Sequence, residues 1–88
     1  MASPVTEGYN PVKLAASGTI SALPAVVSHF IASTSGTLQL REGGAGGTIV
    51  VASMSVTAGN SHYIGLNFGA NSYAELGGGA TGTFGVSN

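Results

Sequence analysis

Cysteine is absent from all 88 residues, so no disulfide can brace this chain. The same absence leaves its redox compartment open. Structural zinc normally takes four ligands from Cys, His and carboxylates. The candidates here are His29, His62, Glu7, Glu42 and Glu75, which form no cluster in the sequence. Small scaffolds that lack disulfides and metals are commonly held by association. A chain of this length buries only about 60–65% of the surface exposed when unfolded, so help from a partner is expected.

Charge is equally scarce. Lys13, Arg41, Glu7, Glu42 and Glu75 are the only charged side chains, 6% of the residues, against about 25% in an ordinary soluble domain. The net charge of −1 gives copies little electrostatic reason to stay apart. Two cations cannot neutralise the phosphates on which nucleic-acid affinity depends, so no nucleic-acid partner is expected. The longest apolar runs, Leu23 to Val27 and Ile49 to Ala52, fall far short of the roughly 20 residues of a membrane span, so no membrane partner is expected either. The N-terminal Met1-Ala-Ser-Pro-Val-Thr-Glu has neither the basic start nor the apolar stretch of a secretory signal. It predicts a protein made and used without Sec export.

What is abundant is glycine, with 15 residues spread along the whole chain. Each would weaken a helix by about 1 kcal/mol, and no apolar stripe of period 3.6 is sustained. Short stretches alternate with period two instead. A Gly-Thr pair followed by alternating apolar positions recurs at Gly18-Thr19, Gly36-Thr37, Gly47-Thr48 and Gly82-Thr83. It reads as a turn leading into a strand. The irregular spacing excludes a solenoid repeat.

These patterns predict strands near 13–22, 24–33, 36–42, 47–56, 61–68, 71–77 and 80–87. The chain divides into an extended N-terminal arm over 1–12 and one β domain over 13–88. About seven short antiparallel strands suggest an all-β sandwich, a jelly roll or a small barrel. The expected core is Ile20, Val27, Phe30 or Ile31, Leu38, Leu40, Ile49, Val51, Ile64, Leu66, Leu76, Phe84 and Val86. The strand from Ile49 to Val56 is apolar on both faces, which reads first as a central strand and second as an interface.

Several motifs suggest chemistry without its required context. Gly77-Gly78-Gly79-Ala80-Thr81-Gly82 fits G-x-G-x-x-G, yet only six residues follow and none is acidic. It is read as a glycine hairpin turn. Gly43 to Thr48 resembles a phosphate loop without its lysine and reads as a flexible connection. His29 and His62 have no spacing to a serine and Glu75 that supports a triad, and no G-x-S-x-G occurs. No catalytic, cofactor or metal residue is expected. Contact candidates are Val5, Tyr9 and Val12 in the arm and Tyr63 and Tyr73 in strands, because tyrosine suits a wet boundary. The alternative for the strand tyrosines is to cover the edge of their own core, and for the arm it is a frayed terminus.

The stretch from Gly18 to Val86, with Gly36-Thr37-Leu38-Gln39-Leu40, the Gly43 to Gly47 loop, Asn71-Ser72-Tyr73-Ala74-Glu75-Leu76 and Thr81-Gly82-Thr83-Phe84-Gly85-Val86, resembles the small virion structural proteins of tailed bacteriophages in strand rhythm. That resemblance implies a β-sandwich or jelly-roll module, usually oligomeric, that decorates or cements the capsid surface or belongs to a head fibre. It implies as partners copies of itself, with a trimer favoured, and the major capsid protein. The expected location is the virion surface, after synthesis in the host cytoplasm. The competing expectation is a glycan- or host-surface-binding module of a phage fibre, using Tyr63, Tyr73 and the Ser/Thr/Asn surface.

Overall fold

A computed structural model of the chain describes residues 9–87. They form eight antiparallel strands, with no helix among the described residues: β1 (Asn10–Leu14), β2 (Gly18–Ser21), β3 (Ala25–Thr34), β4 (Gly36–Glu42), β5 (Thr48–Val56), β6 (Ser61–Phe68), β7 (Ser72–Gly77) and β8 (Thr81–Ser87). The strands divide into a front sheet of order β1-β8-β3-β6 and a back sheet of order β2-β7-β4-β5. Two separate four-stranded sheets in this order make an eight-stranded jelly roll. Only β4 and β5 are joined as a hairpin within one sheet; every other link passes between the sheets.

The expected count of about seven strands becomes eight because the segment near 13–22 is two strands. The chain leaves the front edge at Leu14, turns through Ala15 to Ser17, and starts β2 at the back edge. The Ser17 hydroxyl holds this corner, accepting a hydrogen bond from the Leu76 N–H at 2.8 Å. The expected arm boundary at residue 12 also moves. Asn10 to Val12 already lie in β1, where Val12 pairs with Phe84 of β8.

The core fills the space between the sheets. Val27, Phe30, Leu38, Leu40, Phe68 and Phe84 are its largest fully buried side chains. Phe30 and Phe84 meet across β3 and β8 with ring centroids 4.6 Å apart. Within β4, Leu38 and Leu40 point inward while Thr37, Gln39 and Arg41 point outward, as strict alternation predicts. Phe30 is inward and Ile31 outward because β3 changes phase. Val27 pairs with Val86 but His29 pairs with Gly85, so Ser28 is an extra residue that shifts the pleat.

Two core expectations are corrected. Ile49 is 49% exposed, and β5 is the edge of the back sheet, not a central strand. The cause lies in the pairing of β5 with β4. Leu38 pairs with Met54, Leu40 with Val51 and Arg41 with Ile49, so β5 carries two extra residues and its alternation breaks. Phe68, at the end of β6, belongs to the core although it was not expected there.

Loops at the two ends of the sandwich tie the sheets together. At one end the Thr34 hydroxyl donates to the Gly79 carbonyl at 2.6 Å, and the Ala58 N–H donates to Ser35 Oγ at 2.9 Å. At the other, Glu42 Oε2 accepts from the Gly69 N–H at 2.8 Å, and the Gly43 N–H donates to the Asn71 carbonyl at 2.7 Å. The Gly43 to Gly47 connection is therefore fastened rather than loose, with a further bond from the Gly47 N–H to the Gly44 carbonyl at 2.9 Å. Gly78 and Gly79 do form a turn, closed by the Ala80 N–H on the Gly77 carbonyl at 3.2 Å. It is not a hairpin, since β7 and β8 belong to different sheets.

Candidate interaction surface

The pleat of the front sheet turns Pro11 of β1, Gly85 of β8, His29 of β3 and Tyr63 of β6 outward. The pairings Pro11 with Gly85, Gly85 with His29, and His29 with Tyr63 place them in one row across all four strands. Ile31 lies in the next row, opposite Thr83 and Ser61, and Val26 lies on the other side, opposite Ser87 and Asn67. Val26 and Ile31 are both exposed.

Side-chain packing ties neighbouring members of this row together. A Cβ on Gly85 would fall on the imidazole of His29, so the ring rests directly on the β8 backbone. Tyr9 meets the same ring edge-on, with centroids 5.7 Å apart and planes at 86°. This T-shaped contact is a favourable aromatic geometry. The Nδ1 of His29 lies 3.1 Å from Ser28 Oγ, which orients the ring from the bulge itself. On the edge strand, the phenol of Tyr63 lies over Gly65, whose φ of +64° and missing Cβ make that packing possible. Tyr63 remains 82% exposed.

The five contact candidates from the sequence are dispersed. Tyr9 and Tyr63 share the outer face of the front sheet, joined through His29. Val12 points inward and packs against the core. Tyr73 is half-buried on the outer face of the back sheet, opposite Thr19 and Arg41. Val5 lies outside the described residues. His29, Val26 and Ile31 were not singled out, because only cross-strand register brings them beside the tyrosines.

The outer face of the back sheet is polar by contrast. Arg41 Nη2 donates to Glu75 Oε1 at 3.0 Å and to Gln39 Oε1 at 3.1 Å, and Nη1 donates to the Ala45 carbonyl at 3.0 Å. With Glu75 half exposed, this ion pair contributes less than about 1 kcal/mol. Its clearer role is to fasten the β4–β5 turn to the sheet. Lys13, beside Thr83, is the one charged side chain among the described residues on the front face.

The two histidines do not meet. His29 faces out from the front sheet, whereas His62 Nε2 accepts a hydrogen bond from the Thr57 N–H at 3.3 Å and closes the β5–β6 turn. Glu75 stands on the far side of the sandwich, bound to Arg41. No pocket and no group of three or more metal-binding side chains occurs among the described residues. What the arrangement offers chemically is a broad, weakly charged aromatic and aliphatic face, suited to contact with another macromolecular surface.

No protein-family model, curated protein sequence or solved structure matches the chain.

Proposed function

We propose that this chain is a non-enzymatic structural protein of a bacteriophage virion, decorating or cementing the capsid surface through contacts with the major capsid protein and with copies of itself. The observation that carries the reading is the outer face of the front sheet. Tyr9, His29 and Tyr63 run across it, flanked by Val26 and Ile31, with Lys13 as its only described charge. Tyrosine-rich, charge-poor patches are where binding energy concentrates in protein interfaces. A small fold without cysteine is consistent with a subunit whose stability is completed by its neighbours.

The test is binding of the purified protein to purified phage shells, with Tyr9→Ser and Tyr63→Ser as variants. Saturable binding is expected, weakened at least about tenfold by Tyr63→Ser, in line with the 2 kcal/mol or more of an aromatic anchor. Shells that bind nothing, or that bind the double variant as well as the wild type, sink the proposal.

A glycan-contacting module of a phage fibre is the second reading, and the exposed ring of Tyr63 favours it. Tyr63 and Tyr73 project from opposite outer faces and cannot flank one sugar. The reading therefore rests on Tyr63 with Asn67 and Ser61. Glycan-array hits lost on Tyr63→Ala, together with no affinity for shells, would place it ahead.

A further inference from the structure

The backbone N–H groups of the β5–β6 turn, residues 57–60, are all bonded, but their acceptors are not equivalent. The Gly59 N–H donates to the Ala32 carbonyl at 2.8 Å and the Asn60 N–H to the Thr57 carbonyl at 3.1 Å. The Ala58 N–H donates to Ser35 Oγ at 2.9 Å. The Thr57 N–H is left with Nε2 of His62, at 3.3 Å. Carbonyls and hydroxyls accept whatever the pH, whereas an imidazole nitrogen accepts only while it carries no hydrogen.

A backbone N–H can only donate, so this contact fixes the state of the ring. Nε2 is bare, and the hydrogen of the neutral imidazole sits on Nδ1. Protonation would put a hydrogen on Nε2 and turn the bond into a meeting of two donors. The surroundings offer the cation nothing in exchange. His62 pairs with the fully buried Phe30, so its ring stands half-buried at the rim of the core face of the front sheet. Residues 48–68 include no Lys, Arg, Asp or Glu. Tyr63 turns to the outer face over Gly65, and His29 of β3 lies outward against Gly85 and Tyr9. Lys13 is paired beside Thr83 on β1, Arg41 and Glu75 bind each other on the back sheet, and Glu42 is fastened to the Gly69 N–H at the opposite end.

We infer that His62 is an acid-sensitive latch on the β5–β6 turn: neutral, it holds the Thr57 N–H; protonated, it releases it, and the turn loosens while the two sheets stay folded. The sign follows from linkage. A folded state that requires the neutral ring takes up fewer protons than the unfolded chain, so the latch is closed above the ordinary histidine range and opens as pH falls through it. Carboxylates ordinarily titrate near pH 4 and keep their charge throughout that interval. The inference is independent of what the front face meets.

The experiment follows amide hydrogen exchange of the full chain by NMR between about pH 7.5 and 5.5, each rate being divided by the intrinsic rate at the same pH, for the wild type, His62→Gln and His29→Gln. In the wild type the protection of the Thr57 N–H should fall about fivefold across this range, the factor that one hydrogen bond of ordinary net strength supplies. Leu38, inside β4, should keep its protection. Glutamine offers a carbonyl oxygen near the position of Nε2 and does not titrate, so His62→Gln should hold Thr57 equally at both ends of the range. His29→Gln should behave as the wild type. Imidazole nitrogen shifts of the wild type give a reading that needs no variant, and at pH 7.5 they should show His62 with its hydrogen on Nδ1. A ring with its hydrogen on Nε2, a Thr57 protection that does not change with pH, or a fall that persists in His62→Gln or vanishes in His29→Gln overturns the inference.

Discussion

Ser72 shows how one side chain can work against its surroundings. It stands at the first position of β7, fully buried, and its Oγ finds no hydrogen-bond partner among the described residues. Removing a hydroxyl from water without a compensating bond costs about 1–3 kcal/mol by the measure of mutational data. Its neighbour two places on, Ala74, is buried on the same face without that cost. Ser72→Ala should therefore stabilise the protein by about 1 kcal/mol, which raises the melting temperature of a domain this size by about 4–8 °C. A thermal melt decides it: an unchanged or lower midpoint means that the hydroxyl is satisfied, for instance by water.

Between the residue and the whole molecule, the β4–β5 turn separates two kinds of glycine. Gly43 has a φ of +103°, a conformation that side-chain-bearing residues adopt only under strain. Gly46 has ordinary backbone geometry and open space where a Cβ would stand. Gly43→Ala should destabilise by about 1–3 kcal/mol. Gly46→Ala should be neutral or stabilise by about 0.4–1 kcal/mol, by restricting the unfolded chain. Urea titration of both variants tests the pair, and equal midpoints would show that the turn relaxes freely.

The same scale shows what could be read beforehand. Alternation alone places Leu38 and Leu40 in the core, because β4 is an interior strand without an extra residue of its own. It cannot choose between Phe30 and Ile31, since the choice depends on a bulge at Ser28 defined by pairing with β8. Nor does it tell a strand covered on both faces from an edge strand that displays apolar residues, which is how β5 is misread. Both patterns look alike until the neighbours are known. For the candidate surface, Tyr9 and Tyr63 stand out by residue type. Their link through His29 and Gly85 is a matter of contact and register between segments about 20 to 56 residues apart.

Taken whole, the molecule is closed by its two ends. β1 pairs with β8 from Asn10 with Val86 to Leu14 with Gly82, and β8 in turn lies beside β3. Contacts between such distant segments are slow to form, and jelly rolls belong with the folds that take milliseconds to seconds. They also make β1 necessary in a way its five residues do not suggest. Val12 and Leu14 pack on the core beside Phe84, and β1 covers the open edge of β8. All eight strands are complete without residues 1–8, so deleting that segment should leave cooperative unfolding intact. Deleting residues 1–14 removes a strand, uncovers one flank of Phe84 and exposes the β8 backbone along its length. For a chain whose total stability is on the order of 5–10 kcal/mol, losing two core-packed aliphatic side chains and a row of hydrogen bonds is enough to abolish the transition. Thermal melts followed by circular dichroism on the two truncations decide the matter. A shorter chain that still melts sharply near the full-length midpoint would mean that β1 is an accessory strand, and that the fold is closed by β8 and β3 without it.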